Sequence, residues 1–320
     1  MKKDKVFYPT VLGMIAAGFA LSFGLARNEN FAQAPLRPDG IPAVTRTVKA
    51  SPSVESGKAA VAARFSAAAL LNSGLRNTLS WPFGGRNQTG WNIYAPLIAQ
   101  TIGTTASPDA PAFAAALAGW QTKRSLEPTG VLDRETMAAF VKFWQAQRLG
   151  RSGSPGDERL YTAPIDEFFD LTRSPDLLKL ERETYAAYRR MIRAAAKDLA
   201  GELKVTPNGE LAPDEKFLRI VSAYRSPEYQ ASLRRREPGA GRAALAVNSP
   251  HSTGQALDIY VGGEPVTTKD PNRLIQIKTP AYKWLVKNAH RFGFYPYFYE
   301  PWHWEYVPAR LSIANPPEKE

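Results

Sequence analysis

The chain has 320 residues, 44% of them hydrophobic, a formal net charge of +11 and no cysteine. That length can hold two domains, and the lack of cysteine excludes disulfides, a lipid-bearing cysteine and thiolate metal ligands. The basic balance suits an anionic partner, but no nucleic-acid motif or aromatic–basic stacking pattern accompanies it, so an anionic surface ranks above nucleic acid.

Met1-Lys2-Lys3-Asp4-Lys5 is a basic start, and residues 11–26 are apolar and uncharged up to Arg27. Counted from Val6, the run approaches the length that crosses a bilayer. The preceding lysines place the N-terminus on the cytoplasmic side. Ala32-Gln33-Ala34 is a small-residue motif of the kind cleaved after a signal peptide. It lies past several polar residues, however, and Pro35 follows it. An uncleaved anchor is favoured over a cleaved signal, and either puts the remainder outside the cytoplasm. Residues 28–57, with Pro35, Pro38, Pro42 and Pro52 and no hydrophobic period, read as a linker.

Residues 58–71 are alanine-rich and predict a helix, 76–90 predict a loop, and 91–102 predict a second helix. Leu117, Trp120 and Gln121 then lead into Pro128-Thr129-Gly130-Val131-Leu132-Asp133, followed by Thr136, Phe140, Phe143, Trp144 and Gln145. Asp133 stands where its side chain can cap the next helix. Phe140, Phe143 and Trp144 share a helical face, which reads first as core packing. This set resembles the small three-helix peptidoglycan-binding domain, with its leucine/glutamine helix and T-G-x-x-D turn. The resemblance implies peptidoglycan as a partner, although a copy of this kind also serves as a spacer.

Farther on, residues 160–203 carry helical spacing at Leu177, Leu180, Tyr188, Met191, Ala195 and Leu199, with Ser174-Pro175-Asp176 as a start signal. Residues 216–222 predict a strand, and Tyr224-Arg225-Ser226 follows it. Arg234-Arg235-Arg236 reads as a solvated face, since Pro238, Gly239 and Gly241 come next. Of the three histidines, His290 closes a helical run over 282–291, where a cation suits the helix dipole, and reads as structural.

The other two histidines lie in the segments that carry chemistry. The first is Ser249-Pro250-His251-Ser252-Thr253-Gly254-Gln255-Ala256-Leu257-Asp258, and the second is Glu300-Pro301-Trp302-His303-Trp304. Residues 256–261 alternate as a strand, with Ala256, Asp258 and Tyr260 on one face. Gly254 lets the loop turn so that His251 comes back beside Asp258. The odd separation of Glu300 and His303 would put them on opposite faces of a regular strand, so a turn at Pro301 is needed to bring both to one point. Two imidazoles, a carboxylate and a second carboxylate nearby make the donor set of a catalytic zinc site.

Ser249, His251, Gly254, Ala256 and Asp258, then Glu300 and His303, with Tyr224-Arg225-Ser226 before them, resemble the VanY-type zinc D-alanyl-D-alanine carboxypeptidases. That family shares its fold with other peptidoglycan endopeptidases and with the hedgehog signalling domain. The likeness covers residues 165–312, about half of the chain. It implies an α+β fold in which a small antiparallel sheet with packed helices carries the metal; the small helical domain and the N-terminal membrane segment read above would precede it. It implies zinc (Zn2+) held by His251, Asp258 and His303. Glu300 is implied as the general base that takes a proton from the attacking water and hands it to the leaving amine. Arg225 is implied on the scissile carbonyl or a substrate carboxylate, and Ser249, Trp302 and Glu305 as residues that line the site or orient a ligand. In many relatives a longer segment precedes the E-P-W-H element. Here Gly293-Phe294-Tyr295-Pro296-Tyr297-Phe298-Tyr299 runs almost straight into Glu300, shortening the rim.

The implied division is a signal anchor or signal peptide over 1–27, a linker over 28–57, a peptidoglycan-binding-like domain over 58–160, a peptidase domain over 161–312 and a tail over 313–320. The implied function is removal of terminal D-alanine from peptidoglycan stem peptides in the cell envelope. The protein is expected to be exported, periplasmic and tethered to the inner membrane. An endopeptidase that cuts within the stem or cross-link shares the same core. A non-catalytic wall-binding scaffold is the reading from another class, but it has no use for a base at Glu300.

Overall fold

The structure, a computed structural model, describes residues 54–150, 153–236 and 249–308, with side chains from Ala63 onward. Within these residues the fold is α+β with small antiparallel sheets. The expected membrane segment, most of the linker and the tail lie outside the described residues. Among the described residues no helix is long and apolar enough to cross a membrane.

The first helix, α1 (Val54–Thr78), starts before the expected 58 and continues past 71. The loop expected over 76–90 is instead the end of α1 and a hairpin, β1 (Ser80–Phe83) paired with β2 (Arg86–Thr89). Gly84 and Gly85 take φ of 63° and 77°, the left-handed pair that a two-residue hairpin turn requires. A short 3-10 turn then leads into α2 (Ala95–Ile102), followed by α3 (Pro111–Lys123) and α4 (Arg134–Gln145).

The residues of the T-G-x-x-D stretch lock these helices together. Gln121 accepts the Gly130 N–H at 2.8 Å and donates to Thr136 Oγ1 at 2.9 Å. Asn72 of α1, fully buried, donates to the Gly130 carbonyl at 2.9 Å and accepts the Leu132 N–H at 2.8 Å. A buried amide is tolerated because its polar groups are paired. Asp133 caps α4 as expected, accepting the Thr136 N–H at 2.8 Å. Phe140 and Trp144 are buried, and Trp120 stacks on Phe140 with ring centres 3.9 Å apart, so the aromatic face is core.

The helix expected over 160–203 begins only at Arg182. Before it, β3 (Leu160–Thr162) pairs antiparallel with β4 (Lys179–Glu181). Pro164 and Pro175 each precede or open a short 3-10 turn, where their missing N–H costs nothing, whereas a long helix would lose hydrogen bonds there. The true start signal is Glu181, whose side chain accepts the Thr184 N–H at 3.0 Å at the head of α5 (Arg182–Asp198). Tyr188, Met191 and Ala195 of α5 are fully buried, and Tyr188 Oη donates to the Leu218 carbonyl at 2.9 Å.

The strand expected over 216–222 is confined to β5 (Ile220–Ser222), because Leu218 turns the backbone with a φ of 68°. It is followed by α6 (Pro227–Arg236), β6 (Ala256–Ile259), α7 (Asp270–Gln276), α8 (Pro280–Asn288), β7 (Phe294–Pro296) and β8 (His303–Tyr306). The four-stranded sheet has the order β5-β6-β8-β7, all neighbours antiparallel. One hydrophobic cluster runs from Leu79 to Tyr306. Phe298 joins its halves, packing on Phe83 at 4.7 Å and on Trp144 at 5.4 Å.

Candidate metal centre

Strand register builds the centre. Asp258 on β6 stands directly opposite His303 on β8. Cross-strand partners share a sheet face and bring their Cβ atoms to about 4.5–5.5 Å. Ser222 of β5 is the partner of Asp258 on the other side. Glu305, two residues past His303, shares its face by the period of a strand. His251 arrives from a short 3-10 turn (Pro250–Thr253) that Ser249 caps and Gly254 ends with a φ of 70°. A Cβ at Gly254 would lie 2.8 Å from the Glu181 nitrogen, so glycine is required on steric grounds as well.

Three ligand atoms converge. His251 Nε2 and His303 Nδ1 lie 3.2 and 3.0 Å from Asp258 Oδ1, and 3.2 Å from each other. Ligands about 2.0 Å from a tetrahedral zinc ion are about 3.3 Å apart, so these residues fit such an ion. The remaining ring nitrogens settle the tautomers. His251 Nδ1 donates to the Ala223 carbonyl at 2.6 Å, and His303 Nε2 donates to Glu305 Oε1 at 3.2 Å. Each histidine can thereby turn a lone pair to the common point, with its ring orientation fixed by a second partner.

Glu300 sits beside this cluster. The turn at Pro301 closes with the His303 N–H on the Glu300 carbonyl at 3.0 Å, and Glu300 Oε2 lies 4.0 Å from His303 Nδ1. Arg225 lies against the same cluster. Its Nη2 donates to Asp258 Oδ2, its Nε donates to Ser222 Oγ at 3.0 Å and its N–H donates to the His251 carbonyl at 3.2 Å. The guanidinium thereby braces Asp258. Ser249 Oγ accepts the His251 N–H at 3.4 Å, which ties it to the histidine loop. Trp302 lies in the core, and its backbone carbonyl accepts the Ile259 N–H at 2.8 Å. His290 belongs to a different turn, at residues 289–292.

The charges of the cluster follow from burial and pairing. Burial pushes Glu300 up to about 8, against the attraction of His303. Burial lowers His251 to about 4, and the Arg225 charge adds to that. For His303 burial also opposes the charge, but hydrogen bonds to Asp258 and Glu305 outweigh it and raise the group to about 9. Burial works against ionised Asp258, yet the neighbouring His251 and Arg225 hold it well below its usual range. Glu305 likewise falls to about 2 despite burial, through its bonds to His303 and Arg148.

Arg148 is the residue that sequence reasoning missed. It follows α4, yet its guanidinium meets Glu305. No local pattern marks it, because its partner is 157 positions away.

Residues 177–309 match the model of the VanY family, D-alanyl-D-alanine carboxypeptidase. This segment is a VanY-type domain. All five residues of the centre, His251, Asp258, Glu300, His303 and Glu305, fall inside it, and so does Arg225. Arg148 and the helical part before it fall outside the VanY-type domain. No curated protein matches the chain closely enough to add to this.

Proposed function

We propose that this protein is a zinc-dependent peptidase that removes the terminal D-alanine from peptidoglycan stem peptides. The observation that carries the reading is the convergence of His251, Asp258 and His303 within 3.2 Å of one another beside buried Glu300, in a VanY-type domain. A bound zinc ion supplies Lewis acidity and an acidified water at such a site. His251 and His303, as neutral imidazoles, and the Asp258 carboxylate would hold the ion. Glu300, buried beside His303, would take the proton of the attacking water and return it to the leaving amine. Glu305 and the Ala223 carbonyl keep the two imidazoles in register. Arg225 holds Asp258 and lies at the rim of the ligand set, where a planar guanidinium suits a carbonyl or carboxylate of the substrate.

The N-terminal apolar run and the net charge of +11 support export, with the protein held at the outer face of the inner membrane against an acidic polymer. The helical part before the peptidase domain is proposed to bind peptidoglycan. A second reading, an endopeptidase, is favoured by the commitment of Arg225 to Asp258, which leaves it less able to clamp a free substrate carboxylate. Defined muropeptides separate the two: loss of one terminal alanine supports the carboxypeptidase, whereas an internal cut supports the endopeptidase.

A further inference from the structure

We infer that Arg148, contributed by the helical part and lying outside the VanY-type domain, is a positioning residue for the metal ligand His303 and acts through Glu305. The inference rests on the metal centre proposed above. Arg148 sits in the turn that ends α4, its N–H donating to the Gln145 carbonyl at 3.2 Å. Its Nε donates to Glu305 Oε1 at 2.9 Å, and Nη2 donates to the same oxygen. The next residue holds the other oxygen, with the Leu149 N–H donating to Glu305 Oε2 at 2.7 Å. Both carboxylate oxygens are therefore fixed by one two-residue segment. Oε1 is also the atom that accepts from His303 Nε2 at 3.2 Å.

A second contact leads to the same histidine. The guanidinium carbon lies 4.0 Å from the centre of the Tyr297 ring, and that ring stands edge-on to the His303 imidazole at 5.9 Å. Arg148 thus touches both groups that bear on the outer side of His303. The Glu305 side chain is 1% exposed, so its oxygens are held by Arg148, Leu149 and His303 and not by bulk water. A carboxylate that loses the donors fixing its oxygens is free to turn, and that releases the imidazole from its fixed orientation. The anchor is rigid, because Trp144, near the end of α4, packs on Phe298 in the segment leading to Glu300. An ammonium in place of the guanidinium would keep the charge and lose the two-pronged contact.

The test is zinc affinity, measured on the full chain by competition with a chromogenic chelator. Arg148→Ala is expected to bind zinc about 10–100-fold more weakly than wild type, the usual cost of removing a partner of a ligating histidine. Arg148→Lys is expected to fall between the two. In a Glu305→Gln background, removing Arg148 is expected to cost less than about twofold more, because the two residues act as one unit. Lys142→Ala, an exposed site on the same helix, is expected to bind as wild type. Should the alanine variant not fold, Arg148→Gln keeps the side-chain stem over Tyr297 and reads the same quantity. Wild-type affinity in a folded Arg148 variant, or losses that add in the double variant, would overturn the inference. Equal zinc affinity in wild type and His303→Ala would overturn the metal centre itself, and the inference with it.

Discussion

Burial opposes the charge of every acid in the centre, but only at Glu300 do the neighbouring cations and hydrogen bonds fail to outweigh it, so this group alone is raised. A base with that setting has a specific role that replacement exposes. Glu300→Gln is expected to retain zinc and lose about 10²–10⁴-fold in turnover, measured as alanine released against metal content. Unchanged turnover would remove Glu300 as the base. His303→Ala is expected to lose the metal instead. The shift of Glu300 from 4.5 to about 8 also has a sign. The folded metal-free protein holds a proton that the unfolded chain has given up, so this group's contribution to stability falls as pH rises from about 4.5 to about 8. The melting temperature of metal-free wild type should therefore fall relative to Glu300→Gln across that window, and parallel profiles would contradict it. His303 is raised to about 9, so its pairing stabilises the metal-free fold at lower pH and is lost as pH rises through that value. Below it, zinc uptake must displace a proton. Calorimetry in buffers of different ionisation enthalpy should register at least one proton released per zinc near neutral pH, and none released would contradict the assignment.

At the scale of elements, the ligand positions depend on turns more than on strands. Gly254 ends the His251 turn with a φ of 70° and abuts Glu181, whose N–H donates to its carbonyl at 3.0 Å. Gly254→Ala is expected to destabilise the protein by about 1–3 kcal/mol and to weaken zinc binding, as denaturant melts and metal titration would show. A stable variant with normal zinc affinity would mean that the loop tolerates another path. The turn chemistry was legible: Gly254, Pro301 and Asp133 were assigned their tasks from residue type and spacing, and the strand alternation around Asp258 and His303 followed from its period. The β3–β4 pair was not legible, because Leu177 and Leu180 keep helical spacing with Tyr188 although the chain turns at Pro175 and pairs at Leu180. The β1–β2 hairpin was marked by Gly84-Gly85 between Trp81-Pro82-Phe83 and Arg86, a signal masked by the polar residues around it.

For the whole described molecule, the most consequential feature is that the core does not stop where the family match begins. Phe298 packs on Trp144 and Phe83, and Arg148 holds Glu305, so the helical part supplies both apolar cover and a charge to the peptidase domain. Such long-range pairing leaves no periodic trace, which is why the motifs point to His251, Asp258 and His303 and not to Arg148, whose partner lies 157 positions away. Residues 161–312 expressed alone would expose Phe298 and leave Glu305 without its cation. That fragment is expected to melt well below the full chain, and equal melting would show two independent folding units. The most direct test of the central claim is mass spectrometry of a defined pentapeptide muropeptide incubated with the zinc-loaded protein, with and without a chelator. The expected result is loss of one terminal alanine, abolished by the chelator and by Glu300→Gln. An intact pentapeptide, with zinc shown to be bound, would contradict it.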